Sequence, residues 1–219
     1  MSDKTPPRLT PHRAPNTMNR TSLAKPTRRS AMLAGAMFCA IGTLTPIRRA
    51  IAQAVVNDKA PWDALRAGGI VLFRHANAPG IGDPPAFRIG DCSTQRNLDA
   101  TGREQAKRIG AKLLAQGVTV AKVLTSQWCR TRDTAELAFP GRVTPEPAFN
   151  SFFQERDKAA RQTETARALL LQWRGPGALV VVTHQVNISA LTDSFTASGE
   201  GIVLRPRAEE LEIVGRVLP

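Results

Sequence analysis

The chain has 219 residues, 42% of them hydrophobic, enough for one domain with a proper core. Its net charge of +12 suggests a nucleic-acid partner, but residues 1–52 alone carry nine Lys/Arg against the single acid Asp3. The rest has an ordinary surface with no basic stripe and no interleaved aromatics, which argues against nucleic acid. No Cys/His cluster has metal-ligand spacing, so neither a metal nor another cofactor is expected.

Residues 1–26 are rich in Pro, Thr and Arg, lack an apolar period, and are expected to be disordered. Thr27-Arg28-Arg29-Ser30-Ala31-Met32-Leu33 resembles a twin-arginine export signal. The stretch from Ala31 to Ile47 is mildly apolar but interrupted by Gly35, Gly42 and Pro46, too weak for a stable membrane span. Ala50-Ile51-Ala52 and Ala52-Gln53-Ala54 are alternative cleavage sites, and Met18 is an alternative start. An uncleaved anchor is the other reading of this segment. The expected organisation is a leader over 1–54 and a folded domain over 55–219, delivered to the periplasm or secreted by the twin-arginine machinery.

Strand and helix patterns alternate after residue 60. Ile70–Phe73 reads as a fully buried strand leading into Arg74-His75. A Gly/Pro/Asp-rich loop follows from Ala78 to Gln95, long enough to be a lid or binding loop. Asp99 and Thr101 are candidate caps of a helix that runs through Ile109, Leu113 and Leu114 and stops at Gly117. Ala121–Leu124 reads as a strand and Gln127–Leu137 as a helix, halted near Pro140-Gly141. Thr163–Trp173 reads as a helix ended by Gly175-Pro176-Gly177. Ala178–Val182 is the most apolar strand, and Val186–Thr192 starts another helix. Ile202–Leu204 and Leu211–Val214 look like closing strands, a hairpin at the sheet edge, where Pro206 is tolerated. This alternation predicts an α/β fold, a three-layer α/β/α sandwich with a mostly parallel central sheet.

The chain holds three histidines. His12 lies in the leader; His75 and His184 each follow a short β-branched strand. That is the carboxyl end of the sheet, where α/β folds build their sites. Two histidines presented alike, with arginines nearby, make a site for a phosphoryl group. A neutral imidazole is a good nucleophile near pH 7, and guanidinium forks match phosphate oxygens.

Four segments carry a resemblance to the histidine phosphatase (phosphoglycerate-mutase-like) superfamily, in its order. Arg74-His75-Ala76 resembles its Arg-His-Gly signature. Asn97-Leu98-Asp99-Ala100-Thr101-Gly102-Arg103-Glu104-Gln105-Ala106 resembles its Leu-Thr-x-x-Gly-x-x-Gln-Ala helix start. Ser126-Gln127-Trp128-Cys129-Arg130-Thr131-Arg132-Asp133-Thr134-Ala135 resembles its Ser-x-x-x-Arg-Ala-x-x-Thr-Ala segment, and Val182-Thr183-His184 its Val-x-His-Gly segment. The resemblance spans roughly residues 60 to 219. It implies that His75 attacks phosphorus, that Arg74 and Arg130 clamp the phosphoryl oxygens, and that His184 donates to one of them. Arg132 is then the solvated helix residue.

Other positions are open between substrate contact and structural hydrogen bonding: Asn77, Gln95, and Gln185 and Asn187 at a helix amino terminus. Ala76 and Gln185 replace glycines that often follow the family's two histidines. The family's carboxylic acid would fall on Ser151, which is not a carboxylate. Glu155 is the nearest replacement, or a surface charge; Asp83 and Asp91 are runners-up. Without an acid, phosphoramidates, acyl phosphates and aryl phosphates would be favoured. Cys92 and Cys129 fall in loops expected on the same rim, so a disulfide and two buried free thiols are both open. The reading is an exported, metal-independent phosphatase, a histidine acid phosphatase-like phosphoric monoester hydrolase working through phosphohistidine. Its partner is a phosphorylated small molecule or an envelope sugar phosphate. The alternative is a catalytically degraded phospho-ligand binding module.

Overall fold

The computed structural model describes residues 59–218. The export signal, both cleavage sites, the leader's disorder and the boundary at 54/55 lie outside the described residues. Among the described residues, no helix is long and apolar enough to cross a membrane.

In chain order the elements are α1 (Lys59–Arg66), β1 (Ile70–Arg74), α2 (Ala100–Ala115), β2 (Val120–Thr125), α3 (Cys129–Ala138) and β3 (Val143–Pro145). Then come α4 (Ala159–Leu171), β4 (Ala178–Thr183), α5 (Gln185–Thr192), β5 (Gly201–Arg207) and β6 (Glu210–Val217). The six strands form one sheet in the order β3-β2-β4-β1-β5-β6. The first four positions are parallel; β5 and β6 close the far side as an antiparallel hairpin.

The pleat of the strands makes the layers. Alternate side chains point to opposite faces, so each apolar strand feeds two cores. Val71, Phe73, Val123, Val180 and Val182 meet Leu65 of α1, Ile109 and Leu113 of α2, and Ala135 of α3. Ile70, Leu72, Leu124, Leu179 and Val181 meet Ala166 and Leu170 of α4 and Ile188 and Leu191 of α5. All five residues Ile70, Val71, Leu72, Val180 and Val181 are completely buried. This is the mixed, mostly parallel α/β/α arrangement that the alternating pattern predicts.

Helix α2 starts where its cap predicts. The Asp99 side chain accepts from the Gly102 N–H at 2.6 Å. Gly102 has a second duty: a Cβ there would collide with the Asn77 carbonyl, so glycine lets α2 sit directly against the segment leaving β1. Elsewhere the structure corrects boundaries. Helix α3 starts at Cys129 rather than Gln127, because Trp128 is extended and the preceding backbone turns around Ser126. Helix α4 starts at Ala159, four residues before Thr163, led in by a 3-10 turn over Arg156–Lys158. The short exposed strand β3 and helix α1 have no counterpart in the sequence reading; three residues are too few for a period to show.

Strands β1 and β4 are direct parallel neighbours with Arg74 opposite Thr183. The residues that follow, His75 and His184, therefore leave the sheet side by side at its carboxyl end. The loop from 78 to 95 rises over the same edge. A disulfide between Cys92 and Cys129 fastens it to the first residue of α3.

Candidate active site

His75 continues the β1–β4 ladder by donating its backbone N–H to the Thr183 carbonyl at 3.0 Å. The residue is 3% exposed. Nδ1 lies 2.8 Å from the Ala76 carbonyl oxygen. A carbonyl only accepts, so Nδ1 carries the proton and Nε2 keeps a free lone pair. Burial, then the Arg130 cation, lower the ring's pKa from 6.5 to about 3. The imidazole is thus neutral across the physiological range. Ala76 is itself pinned: its N–H donates to Thr134 Oγ1 at 3.0 Å.

His184 stands 5.6 Å from His75 between ring centroids, at an angle of 65°. Its Nε2 lies 2.8 Å from Ser126 Oγ, and Nη2 of Arg130 approaches Nδ1 at 3.4 Å. Ser126 Oγ also accepts from the Trp128 N–H at 3.2 Å. A guanidinium only donates, so Nδ1 accepts from Arg130 and Nε2 carries the proton, donating it to Ser126 Oγ. Complete burial, then the Arg130 charge, push its pKa well below the ordinary histidine value.

Three guanidinium groups surround the two neutral rings: Arg74, Arg96 and Arg130 all disfavour proton uptake by both histidines. Arg74 donates to the Thr196 carbonyl at 2.8 Å. Arg130, 3% exposed, spends both arms on the carboxylate of Asp83, at 2.7 and 3.1 Å. The Nε atoms of Arg74 and Arg130 are buried with no acceptor. Arg96 is the site residue that the sequence reading missed. Its guanidinium is fixed by the carbonyls of Ala78 and Gly82. No motif marks it; it simply precedes the recognisable helix start.

Asp83, a runner-up acid, lies in this wall. Its carboxylate also accepts from Trp128 Nε1 at 3.0 Å and the Arg96 N–H at 3.2 Å. Burial alone would raise its pKa, but hydrogen bonding and charge from Arg130, with Trp128 and Arg96, outweigh burial and hold it below the usual carboxylate value. Asp83 is therefore ionised at neutral pH, and not a ready proton donor.

The other expected residues divide. His75, Arg74, Arg130, His184, Glu155 and Gln185 line one cavity of about 430 Å³. Asn77, Gln95 and Asn187 do not. The Asn77 amide donates to Asp99 at 2.8 Å. Gln95 donates to the Arg88 carbonyl and accepts the Cys129 N–H, each at 2.9 Å. Asn187 donates to the Asn150 carbonyl at 3.0 Å. These three are structural ties between loops. Gln185 lines the cavity, but its amide is consumed too, donating to Ser189 Oγ and the Ser194 carbonyl and accepting from the Thr196 N–H. Glu155 sits at the mouth, half exposed and ion-paired to Lys158. Asp91 caps the 3-10 turn at Cys92 and pairs with Arg88, away from the cavity. Arg132 takes no part in the cavity. Among the described residues no group of His, Cys, Asp and Glu could hold a metal ion.

The arrangement offers a lone pair on a neutral, oriented imidazole, a second neutral imidazole beside it, and three cations. It is built to receive a dianion and attack it. Residues 70–157 match the histidine phosphatase superfamily (branch 1). No curated protein matches the chain. Among solved structures, the fold is similar to the protein histidine phosphatase SixA complexed with tungstate, 15% identical over 69% of this chain and 97% of that one, TM-score 0.50. It is similar to Bacillus stearothermophilus YhfR, 16% identical over 68% and 96%, TM-score 0.52. It is also similar to a phosphoserine phosphatase from Entamoeba histolytica in complex with 3-phosphoglyceric acid, 13% identical over 69% and 98%, TM-score 0.50.

Proposed function

We propose that this chain is a metal-independent histidine phosphatase that hydrolyses phosphomonoesters or phosphoramidates through a phosphohistidine on His75. The observation that carries the reading is the His75 ring: Nδ1–H is tied to the Ala76 carbonyl, and Nε2 is unprotonated among three guanidinium groups. In the first step Nε2 attacks phosphorus, the N–P bond forms, and the bond to the leaving oxygen or nitrogen breaks with its electron pair. Arg74 and Arg130 neutralise the charge that builds on the equatorial oxygens. The leaving group takes its proton from water. In the second step water attacks the phosphorus, the N–P bond breaks, and inorganic phosphate leaves with His75 neutral again.

Two observations support this over other chemistries. The family match covers the segments that carry His75 and Arg130. His184, on the neighbouring strand end, lines the same cavity as His75, with the two rings 5.6 Å apart between centroids. The phosphatases SixA and the Entamoeba histolytica phosphoserine phosphatase share the fold, as does YhfR. Hydrolysis of an acyl phosphate such as acetyl phosphate, with label trapped on His75, tests the reading. Phosphohistidine survives an alkaline quench and is lost in acid, so His75→Ala should remove both label and turnover. An ester on Ser126 or Ser151 would replace the mechanism. A chelator should leave the rate unchanged.

The alternative, a binding module that has lost catalysis, is favoured by one fact: Asp83 and Glu155, the two carboxylates lining the cavity, are each ion-paired to a cation. Affinity for inorganic phosphate without any turnover of acetyl phosphate would establish it. The proposed location is the periplasm or outside the cell. Replacing Arg28 and Arg29 by Lys should then retain precursor in the cytoplasm.

A further inference from the structure

Three loops that are far apart in sequence each hold an apolar side chain out at the mouth of the cavity. Ile81 is 91% exposed, Phe195 71% and Phe153 43%. Below them the inner wall is the Phe87–Trp128 pair, stacked at 4.9 Å with 17° between planes. Trp128 in turn stands edge-on to His184 at 5.4 Å. A continuous apolar surface thus runs from the catalytic imidazoles to solvent. Clustered exposed apolar groups around a concave site mark the ligand's own apolar body.

The rim is built, not loose. Phe195 is flanked by two anchored residues: Gln185 donates to the Ser194 carbonyl at 3.1 Å and accepts the Thr196 N–H at 2.9 Å. The Phe195 carbonyl accepts from Arg216 at 2.7 Å, and the ring faces the Arg74 guanidinium at 5.9 Å. Phe153 lies under the Arg156 guanidinium at 5.2 Å, and its N–H donates to Ser151 Oγ at 3.3 Å. Gln154 donates to the Asp83 carbonyl at 3.3 Å, joining this segment to the loop that carries Ile81.

The polar groups of the mouth are spent in holding it. Gln185, Gln154, Ser151 and Glu155 all have partners within the protein. A sugar, which must exchange water hydrogen bonds for protein ones at each hydroxyl, finds few partners here and three hydrocarbon surfaces. A flat ring loses water against those surfaces at a gain of about 25 cal/mol per Å² of apolar area. The leaving chemistry agrees. A phenol ionises near pH 10, against about 16 for water, so an aryl oxygen departs without a carboxylic acid to protonate it.

We infer that the substrates are phosphate monoesters whose leaving group is a flat, apolar aryl hydroxyl, seated between Phe87–Trp128 and the rim of Ile81, Phe153 and Phe195. This deepens the phosphatase reading and rests on it. The envelope sugar phosphate expected from the sequence is correspondingly disfavoured.

The test compares kcat/KM on the full-length protein for four probes: acetyl phosphate, phenyl phosphate, 2-phenylethyl phosphate and ethyl phosphate. The last two have similar leaving-group acidity and differ by one ring, so their ratio reads recognition alone. A preference of tenfold or more for 2-phenylethyl phosphate is expected. Phe195→Ser combined with Phe153→Ser should lower the phenyl-to-acetyl ratio at least fivefold, with thermal unfolding to confirm that the variant is folded. As a readout that needs no turnover, phenylphosphonate should inhibit at least tenfold more tightly than methylphosphonate, and the double variant should narrow that gap. Equal rates for the phenylethyl and ethyl esters, or a hexose 6-phosphate matching the phenylethyl ester, would overturn the inference while leaving the phosphatase reading in place. A long-chain alkyl phosphate preferred over every aryl ester would overturn it in favour of a lipid phosphate. Absence of turnover even with acetyl phosphate would remove the phosphatase reading itself, and this inference with it.

Discussion

Asp83 closes on Arg130 through both carboxylate oxygens, at 2.7 and 3.1 Å, with the two side chains 5% and 3% exposed. The pair joins the long loop before α2 to the first turn of α3. It also sets the charge of the site, because an arginine whose fork is filled by a carboxylate offers an incoming phosphate less attraction than a bare one. The orphaned Nε of Arg130 remains a donor while Asp83 is held.

Asp83→Asn should therefore act in two directions. Taking the charge from a buried pair leaves Arg130 uncompensated and should cost about 3–5 kcal/mol of stability, a fall of about 6–20 °C in the unfolding midpoint. Inorganic phosphate, no longer sharing Arg130 with a carboxylate, should inhibit about tenfold more tightly. Calorimetry and a phosphate inhibition series check the two effects. Weaker phosphate inhibition would mean that Asp83 serves only to position the arginine.

Arg130→Ala should lower kcat about 10²–10³-fold, the usual loss of one preorganised donor to developing charge. Arg132, one position further on and outside the cavity, should cost little when replaced by Ala. Single-turnover rates with acetyl phosphate separate the two, and a reversed order would contradict the placement of α3.

Glu155→Gln should barely change hydrolysis of either alkyl or aryl phosphates. The side chain is half exposed and paired with Lys158, so it behaves as a surface charge. A general acid contributes about 10²–10⁴-fold. A selective loss of that size on alkyl esters would restore Glu155 as the proton donor and require the mouth to close in the bound state.

Stability should fall on the acid side. His75 has a pKa of about 3 in the folded protein against 6.5 for the free side chain, and His184 is shifted in the same direction. Between those values the unfolded chain binds more protons than the folded one, so unfolding free energy rises with pH. The full stability is present above about pH 6.5 and is lost as pH falls toward 3. The His75 shift is worth up to about 5 kcal/mol over that window. Urea unfolding at pH 4 and pH 7 should show the drop, and His75→Gln should flatten it. An unchanged slope in the variant would assign the acid lability elsewhere.

Reduction should loosen the site from outside. Cys92 and Cys129 enclose a chain separation of 37 residues, and a closed loop of that length is worth about 4 kcal/mol in the chain-entropy account. Replacing both cysteines by Ala should lower the unfolding midpoint. It should also raise hydrogen exchange across 83–95, where Gln95 accepts from the Cys129 N–H. Protection that stays unchanged would show that Asp83 and Gln95 hold the loop unaided.

Much of the molecule is written in its local pattern. The apolar runs at Ile70 and Ala178 are long enough and β-branched enough to be strands whatever surrounds them. Asp99 caps its helix because its carboxylate needs only the N–H three residues on. His75 and His184 are legible for the same reason: each is the first polar residue after a buried strand, and each belongs to a motif of neighbours in sequence. The tertiary structure decided what those residues meet. Parallel pairing of β1 with β4, 109 residues apart in register, puts the histidines side by side. Asp83 meets Arg130, Gln95 meets Cys129, Asn77 meets Asp99 and Asn187 meets Asn150, each pair 22 to 47 residues apart in sequence. A side-chain hydrogen bond over that distance leaves no period, cap or spacing behind it. Polar residues that look alike in the chain therefore separate only on folding, into those that hold loops together and those that face the cavity.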